Sequence, residues 1–142
     1  MKVSAKTEYA CIAMLELAAT FGSGDPVRIR SIAEEHDIPP RFLVQILLQL
    51  KGAGLVNSTR GAAGGYHLLR SPSELSLGEV MAVIEGPNEA AMTSSASPHS
   101  VAAKTLAHVW NDISAVEREM LQKITFAELL DRCKREESMY YI

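Results

Sequence analysis

The sequence predicts a mainly α-helical fold with one small β-hairpin, and three observations lead to this prediction. Apolar residues recur at helical spacing through most of the 142-residue chain. A glycine-rich segment at 60–65 separates two short runs that are rich in β-branched and aromatic residues. A heptad pattern of apolar residues follows a small, polar segment at 88–100. With 47% hydrophobic and 22% charged residues, the composition is that of a folded globular protein.

The first predicted helix covers residues 4–20, which contain neither glycine nor proline. From Tyr9 to Ala19 its single charged residue is Glu16, so the helix is apolar nearly all round. Such a helix should be buried on more than one side. The cluster of Gly, Ser, Asp and Pro at 22–26 ends it.

A helix, a turn and a second helix follow. Residues 29–36 are predicted as a short helix with Ile32 and Ala33 facing inward. Residues 37–40 form a tight turn, and its prolines suit the first turn of the next helix, at about 41–53. Gly54 ends that helix. Its predicted inward face consists of Phe42, Leu43, Ile46, Leu47 and Leu50.

Beyond Gly54 the pattern changes to that of strands. Residues 55–59 and 66–69 are predicted as two short strands, joined by the loop 60–65 with the sequence Arg-Gly-Ala-Ala-Gly-Gly. This loop is the turn of a β-hairpin, and Pro72 marks the end of the module.

The rest of the chain is predicted to be helical. Two Ser/Thr-x-x-Glu patterns, at 76–79 and 125–128, predict capping boxes. The first begins a short helix that ends near Gly86, and the second begins a last helix that ends at about Arg135. Between them lies the longest helix, at 101–123. Its apolar positions step by 3, 4, 3 and 4 residues, and they are Leu106, Val109, Ile113, Val116 and Met120.

Helix, turn, helix and two-stranded wing is the order of a winged helix-turn-helix. The sequence therefore divides into a winged helix-turn-helix domain at 1–72, a connecting helix and flexible loop at 73–100, and a dimerisation helix with a C-terminal helix at 101–142. Two plainer interpretations stay open at this point. The helix at 41–53 has the pattern of any amphipathic helix in a bundle, and the glycines of the hairpin can serve turn geometry alone.

Charge separates the two halves of the chain. Residues 1–70 carry eight basic and six acidic residues, a balance of +2, whereas the remainder carries six basic and eleven acidic residues, a balance of −5. The N-terminal half is therefore the half that can face phosphates. The chain has no signal-peptide pattern, no apolar run long enough for a membrane span and two cysteines, so we expect a cytoplasmic protein without membrane contact.

Double-stranded DNA is the partner that this organisation predicts. The N-terminal end of the second helix would enter the major groove, where Arg41 can pair with guanine and Gln45 with adenine. Arg60 at the root of the wing can reach the minor groove. Glycines in the wing allow the protein backbone to approach the phosphates closely.

Several segments resemble the Rrf2 family of bacterial transcription regulators, over nearly the whole chain. They are Val3–Ala10, Ile32-Ala33 with Ile38, Leu43 with Gln45, 54–56 (Gly-Leu-Val), 60–68 (Arg-Gly-x-x-Gly-Gly-Tyr-x-Leu), 79–80 with 84–86, Trp110 and 124–129. The resemblance implies a homodimer that reads a palindromic operator, with Trp110 joining the apolar positions of the long helix at the interface. The DNA contacts that it implies, together with the fold, are Ser4, Lys6, Tyr9, Arg28, Arg41, Phe42, Gln45, Arg60, Gly61, Gly64, Gly65 and Tyr66.

Many members of that family hold an iron–sulfur cluster with three cysteines in the loop before the long helix. Aligned on Trp110, this chain has Met92, Pro98 and Lys104 about where those cysteines lie, and Ala107 where a nearby histidine is often found. Thiolates are the ligands such clusters require. We therefore expect no iron–sulfur cluster, no other cofactor and no metal site.

Three controlling signals stay open. Cys133, next to Arg132, Lys134 and Arg135, could respond to redox conditions. A small metabolite could bind between the loop and the long helix. The ending at 139–142 resembles the cluster-free branch of the family, which represses cysteine metabolism and is partnered by cysteine synthase, so Tyr141 and Ile142 are candidate partner-binding residues.

The rival functions have less support. Ser94, Ser95, Ser97 and His99 share one small-residue loop, but no strand-turn-helix elbow places a nucleophile there, so we predict that the chain is not an enzyme. A winged-helix module that binds a protein such as cysteine synthase instead of DNA is the other alternative. Arg60 and Lys6 argue against it, and salt-dependent binding to duplex DNA would decide.

Overall fold

A computed structural model describes residues 1–86 and 96–140. This part of the chain contains six α-helices and one antiparallel hairpin, which confirms the predicted fold class. The elements are α1 (Ala5–Ala19), α2 (Ile29–His36), α3 (Pro40–Gly52), β1 (Val56–Thr59), β2 (Gly65–Leu68), α4 (Leu77–Glu85), α5 (Val101–Lys123) and α6 (Phe126–Tyr140), with a short 3-10 turn at Pro72–Glu74.

Helix α1 is the central element of the fold. It packs against α3, α4, α6 and β2, as expected for a helix that is apolar nearly all round. The Ser4 side chain caps it by accepting a hydrogen bond from the Thr7 amide at 3.1 Å. Its fully or nearly fully buried residues are Thr7, Ala10, Ala13, Met14, Leu17 and Ala18.

Helices α2 and α3 form the helix-turn-helix. Asp37 ends α2 in the left-handed region, with φ 53°, which an aspartate tolerates better than most residues. Ile38 is buried in the turn, and Pro40 begins α3. A separate small core lies beneath this pair and consists of Ala13, Ile32, Ala33, Ile38 and Leu43.

The hairpin is extended by one further backbone contact. Its register pairs Val56 with Leu68 and Thr59 with Gly65. Tyr66 also exchanges two hydrogen bonds with Val27, of 2.8 and 2.7 Å, so the segment before α2 lies against the outer strand of the wing. The wing is thereby fixed to the body of the domain.

The junction between α5 and α6 is attached to the same body. The Leu77 amide donates to the Ile124 carbonyl at 2.8 Å, and the Phe126 amide donates to the Leu75 carbonyl at 3.0 Å. The Phe126 side chain is fully buried in the main core. At Gly78 an added Cβ would lie 3.2 Å from the Leu121 backbone, so glycine permits close packing of α4 on α5.

The structure corrects two expectations about these helices. Helix α6 continues to Tyr140 instead of ending at about Arg135, because the intervening residues contain no glycine or proline to stop it. Both capping boxes are half-formed: Ser76 and Thr125 cap their helices, but the Glu79 carboxylate contacts Arg70 and the Glu128 carboxylate contacts Arg132.

No helix in the described ranges is long and apolar enough to cross a membrane.

Candidate nucleic-acid interface

The first turns of α3 present both polar and apolar side chains to solvent. Arg41, Val44 and Gln45 are exposed. The opposite side of the helix is fully buried, because its apolar residues recur at helical spacing. That buried side consists of Leu43, Ile46, Leu47 and Leu50.

Phe42 does not belong to the buried face on which the sequence placed it. It is 38% exposed, and its ring lies 6.2 Å from the ring of Tyr9, tilted by 40°. The Arg41 guanidinium lies 5.1 Å from the centre of the same ring, within the range of a cation–π contact. Tyr9, Phe42 and Arg41 therefore form one surface cluster, in which the aromatic rings support the arginine.

The cations predicted to contact DNA are exposed and available. Lys6, Arg28, Arg41 and Arg60 form no salt bridge with any residue that the structure describes. Free cations of this kind can replace the counterions of a phosphate backbone.

Three other cations of the N-terminal half are already engaged within the chain. Arg30 contacts Glu34 at 2.9 Å and Arg70 contacts Glu79 at 2.5 Å. For both arginines, the partner's hydrogen bond and charge raise the pKa. The Lys51 ammonium donates to the Ser58 hydroxyl at 2.8 Å, which joins the end of α3 to the wing. The sequence did not point to this contact, because it depends on how β1 packs against α3.

The wing glycines have different roles in the structure. Gly61 has φ 105° and open space around it, so it can lie against another molecule. Gly64 is buried, and a Cβ there would overlap the Thr59 carbonyl oxygen. A Cβ on Gly65 would lie 2.5 Å from the Val27 carbonyl oxygen. Packing within the chain thus requires glycine at 64 and 65, and the approach of these two residues to phosphates stays a prediction.

Two further predicted contacts also have roles inside the fold. The Ser4 hydroxyl caps α1 and lies 3.1 Å from the Thr7 hydroxyl and 3.5 Å from the Glu85 carboxylate. Tyr66 is partly buried against the main core, and its backbone pairs with Val27. Their contacts with DNA stay predictions.

Helix α5 exposes the apolar stripe that the heptad pattern predicted. No residue of α5 is buried. The six residues of the stripe are between 44% and 60% exposed, although each is large and apolar. They are Leu106, Val109, Trp110, Ile113, Val116 and Met120.

The two cysteines occupy different environments. Cys11 is partly buried in α1, and burial together with the nearby Glu85 carboxylate raises its pKa to about 11. Cys133 is exposed on α6. The candidate partner-binding residues Tyr141 and Ile142, and Met92 of the connecting loop, lie outside the described residues.

Comparison with known proteins agrees with this fold and surface. The family model Rrf2, described as an iron-dependent transcriptional regulator, matches residues 3–132. The transcriptional regulator IscR of Vibrio atlanticus is 33% identical over 131 residues, which is 92% of this chain and 75% of that protein. CymR of Bacillus subtilis is 41% identical over 87 residues, 61% of this chain and 62% of that protein.

The solved structure of CymR, described as the global cysteine regulator of B. subtilis, has the same fold. It superposes with a TM-score of 0.79 at 32% identity, covering 93% of this chain and 98% of that one. The resemblance on which the sequence analysis relied is thereby confirmed.

The donors in this chain do not fit a cysteine-ligated iron–sulfur cluster, although the matching family model is described as iron-dependent. Such clusters are held by several thiolates. This chain has two cysteines, on separate helices, and the pKa of one is raised by burial. Neither lies in the segment at 88–100.

Proposed function

Because this chain belongs to the Rrf2 family of transcriptional regulators, we propose that it binds a palindromic operator as a homodimer and represses the neighbouring genes. The family members that it matches are transcriptional regulators, and this chain is a DNA-binding regulator of the same kind rather than an enzyme. The observation that carries the homodimer is the exposed apolar stripe on α5.

A second copy of the chain is the natural partner for this stripe. Its apolar positions repeat at heptad spacing, which is the pattern by which two helices pack side by side. The 23 residues of α5 span about 35 Å at 1.5 Å per residue. That length is comparable to the roughly 34–36 Å between successive half-sites on one face of a duplex. A two-fold symmetric dimer would read two inverted half-sites, hence a palindrome.

Each protomer would contact DNA through two elements. The start of α3 would enter the major groove, where the aromatic support of Arg41 favours a defined guanidinium position and Gln45 can pair with adenine. Arg60, exposed and without an ionic partner among the described residues, would reach the minor groove from the wing. Lys6 and Arg28 would contact phosphates. Repression would follow because a bound dimer occupies the duplex that transcription requires.

The domain division of the sequence analysis fits this function. We assign DNA binding to 1–72, connection to 73–100 and dimerisation to 101–142, and we place the protein in the cytoplasm, where a bacterial chromosome lies. The similarity to CymR, described as a global cysteine regulator, supports genes of cysteine metabolism as targets. Cysteine synthase would then be a partner that binds Tyr141 and Ile142.

Selection of bound duplexes from a genomic pool tests the operator and its symmetry. We expect an inverted repeat, and the full-length protein with Arg60→Ala should bind it about tenfold more weakly or worse, with a smaller salt dependence. Arg132→Ala is the matched control, since Arg132 pairs with Glu128 on α6, away from the proposed interface. A recovered motif without symmetry, or equal affinity of the Arg60 variant, would contradict the proposal.

A further inference from the structure

Three potential metal ligands, none of them assigned above to DNA or to the dimer, converge where α1 and α2 meet. They are Glu16 on α1 and Glu35 and His36 at the end of α2, and one ligand atom from each lies within 4.8 Å of the other two. We propose that these residues bind one divalent transition-metal ion, which braces the helix-turn-helix against α1.

The geometry needs little rearrangement. The Glu16 carboxylate and the His36 Nε2 atom are 2.8 Å apart, and their side chains are 28% and 29% exposed, so both are partly shielded from water. Ligand atoms bound at about 2.0–2.2 Å to a common ion lie roughly 3–3.6 Å from one another. Glu35 is exposed and free to change its rotamer, and bringing atoms that lie within 4.8 Å of one another to this separation requires a side-chain movement of less than about 2 Å.

The donor set favours a particular class of ion. One imidazole and two carboxylates suit zinc, ferrous iron or manganese, whereas magnesium and calcium prefer oxygen ligands alone. Two carboxylates also balance the charge of a divalent cation. Three protein ligands leave one or more positions to water. The neighbouring Arg30 does not compete for Glu35, because it contacts Glu34 at 2.9 Å.

The position of the site gives it a structural consequence. His36 is the last residue of α2, and the turn that follows it leads directly into α3. Glu16 lies on α1, which packs against α3. An ion shared by Glu16, Glu35 and His36 would therefore fix the angle between α1 and the turn that orients the DNA-contacting helix. Sequence analysis predicted no metal site, since ligands twenty residues apart become neighbours only when α1 and α2 pack.

A plainer interpretation is that Glu16 and His36 form an ion pair and that Glu35 is an ordinary solvated side chain. Glu35→Gln separates the two interpretations, because it removes one metal ligand and leaves the 2.8 Å pair intact. Its matched control is Glu34→Gln, which makes the same charge change at the neighbouring exposed position of α2 and also removes the contact with Arg30.

The test uses the full-length protein freed of metal with a chelator, titrated with Zn²⁺ in a calorimeter and with Co²⁺ by visible absorption. We expect one ion per chain. His36→Gln and Glu35→Gln should each weaken binding about tenfold or more, since even loss of residues that only support metal ligands costs about 10–100-fold. Glu34→Gln and His99→Gln should bind like the wild type. Absence of binding, or binding unaffected by Glu35→Gln, overturns the proposal.

Thermal melting checks that the variants fold and that the bound ion stabilises the fold. Zn²⁺ should raise the melting temperature of the wild type and of Glu34→Gln, and it should not raise that of His36→Gln. A rise that persists in His36→Gln overturns the assigned site. Fluorescence anisotropy measures binding of the selected operator with and without Zn²⁺, and it separates this proposal from the proposed function. If the protein bound the metal ion but no duplex, the proposed function would be contradicted and the metal site would not.

Discussion

The Thr7 hydroxyl donates a 2.7 Å hydrogen bond to the Glu85 carboxylate, which joins the first turn of α1 to the last residue of α4. Thr7 is the buried polar residue of the described core, so this bond satisfies a hydroxyl that water does not reach. The N-terminal end of α1 and the C-terminal end of α4 are therefore fixed to each other.

Removing this hydroxyl should destabilise the protein. We expect Thr7→Val to lower the free energy of unfolding by about 1–2 kcal/mol, because the valine keeps the shape but removes the 2.7 Å donor to Glu85, leaving the Ser4 hydroxyl at 3.5 Å as a weaker one. Urea denaturation measures the change. Thr105→Val is the control: its hydroxyl donates to the Val101 carbonyl on the exposed side of α5, and its loss should cost less than about 0.5 kcal/mol. Equal effects of the two substitutions would contradict the prediction.

The wing should not tolerate a side chain at position 65. In Gly65→Ala the new Cβ would lie 2.5 Å from the Val27 carbonyl oxygen, so the bridge between Val27 and Tyr66 must open. We expect a loss of about 1–3 kcal/mol in unfolding free energy, together with weaker operator binding. Gly52→Ala, in open space on α3, should instead stabilise by about 0.5–1 kcal/mol. An unchanged free energy of unfolding in Gly65→Ala would contradict the prediction and show that the wing backbone can shift to accept the side chain.

A charge in the apolar stripe of α5 should separate the protomers. Ile113 is 54% exposed within its own chain, so Ile113→Asp should leave the monomer folded while burying an unpaired carboxylate in the dimer. Light scattering should report half the molecular mass of the wild type. The affinity for the operator should also fall, because a monomer contacts one half-site. The substitution Ala115→Asp, on the opposite side of α5 from Ile113 by helical spacing, should leave the mass unchanged. A dimeric Ile113→Asp protein would place the interface elsewhere.

The two thiols should react at different rates. Cys11 has a pKa raised to about 11, so near pH 8 roughly one thousandth of it is the reactive thiolate, whereas Cys133 is exposed. Iodoacetamide should therefore modify Cys133 first, and the rate at Cys11 should rise as the pH approaches 11. Mass spectrometry of Cys11→Ser and Cys133→Ser proteins assigns each site. Faster modification of Cys11 at pH 8 would be inconsistent with its burial.

Local signals in the sequence predicted much of the fold. Gly54 and the prolines of the turn fixed the limits of α3 to within a residue or so, and Ser76 was correctly expected to cap α4. The end of α6 was missed because no residue before Tyr140 acts as a stop signal. Helical periodicity placed Phe42 on the buried side, whereas its contact with Tyr9 holds it at the surface.

The site was less predictable than the fold. Residue types and their order pointed to Arg41 and Arg60, both of which prove to be exposed. Which side chains contact each other depends on packing between separate elements, as in the contacts of Lys51 with Ser58 and of Thr7 with Glu85. No spacing rule in one sequence encodes such distances.

The backbone attachment of Leu77 to Ile124 holds one end of α5, while Val101 at the other end is 78% exposed. A helix of about 35 Å that is held at one end behaves as a rigid arm, and a tilt of roughly 5° moves its far end by about 3 Å. In the proposed dimer, a change in the crossing angle of two such helices would alter the separation of the two helix-turn-helix units. A displacement of about 3 Å would move these units out of register with the half-sites of the proposed operator.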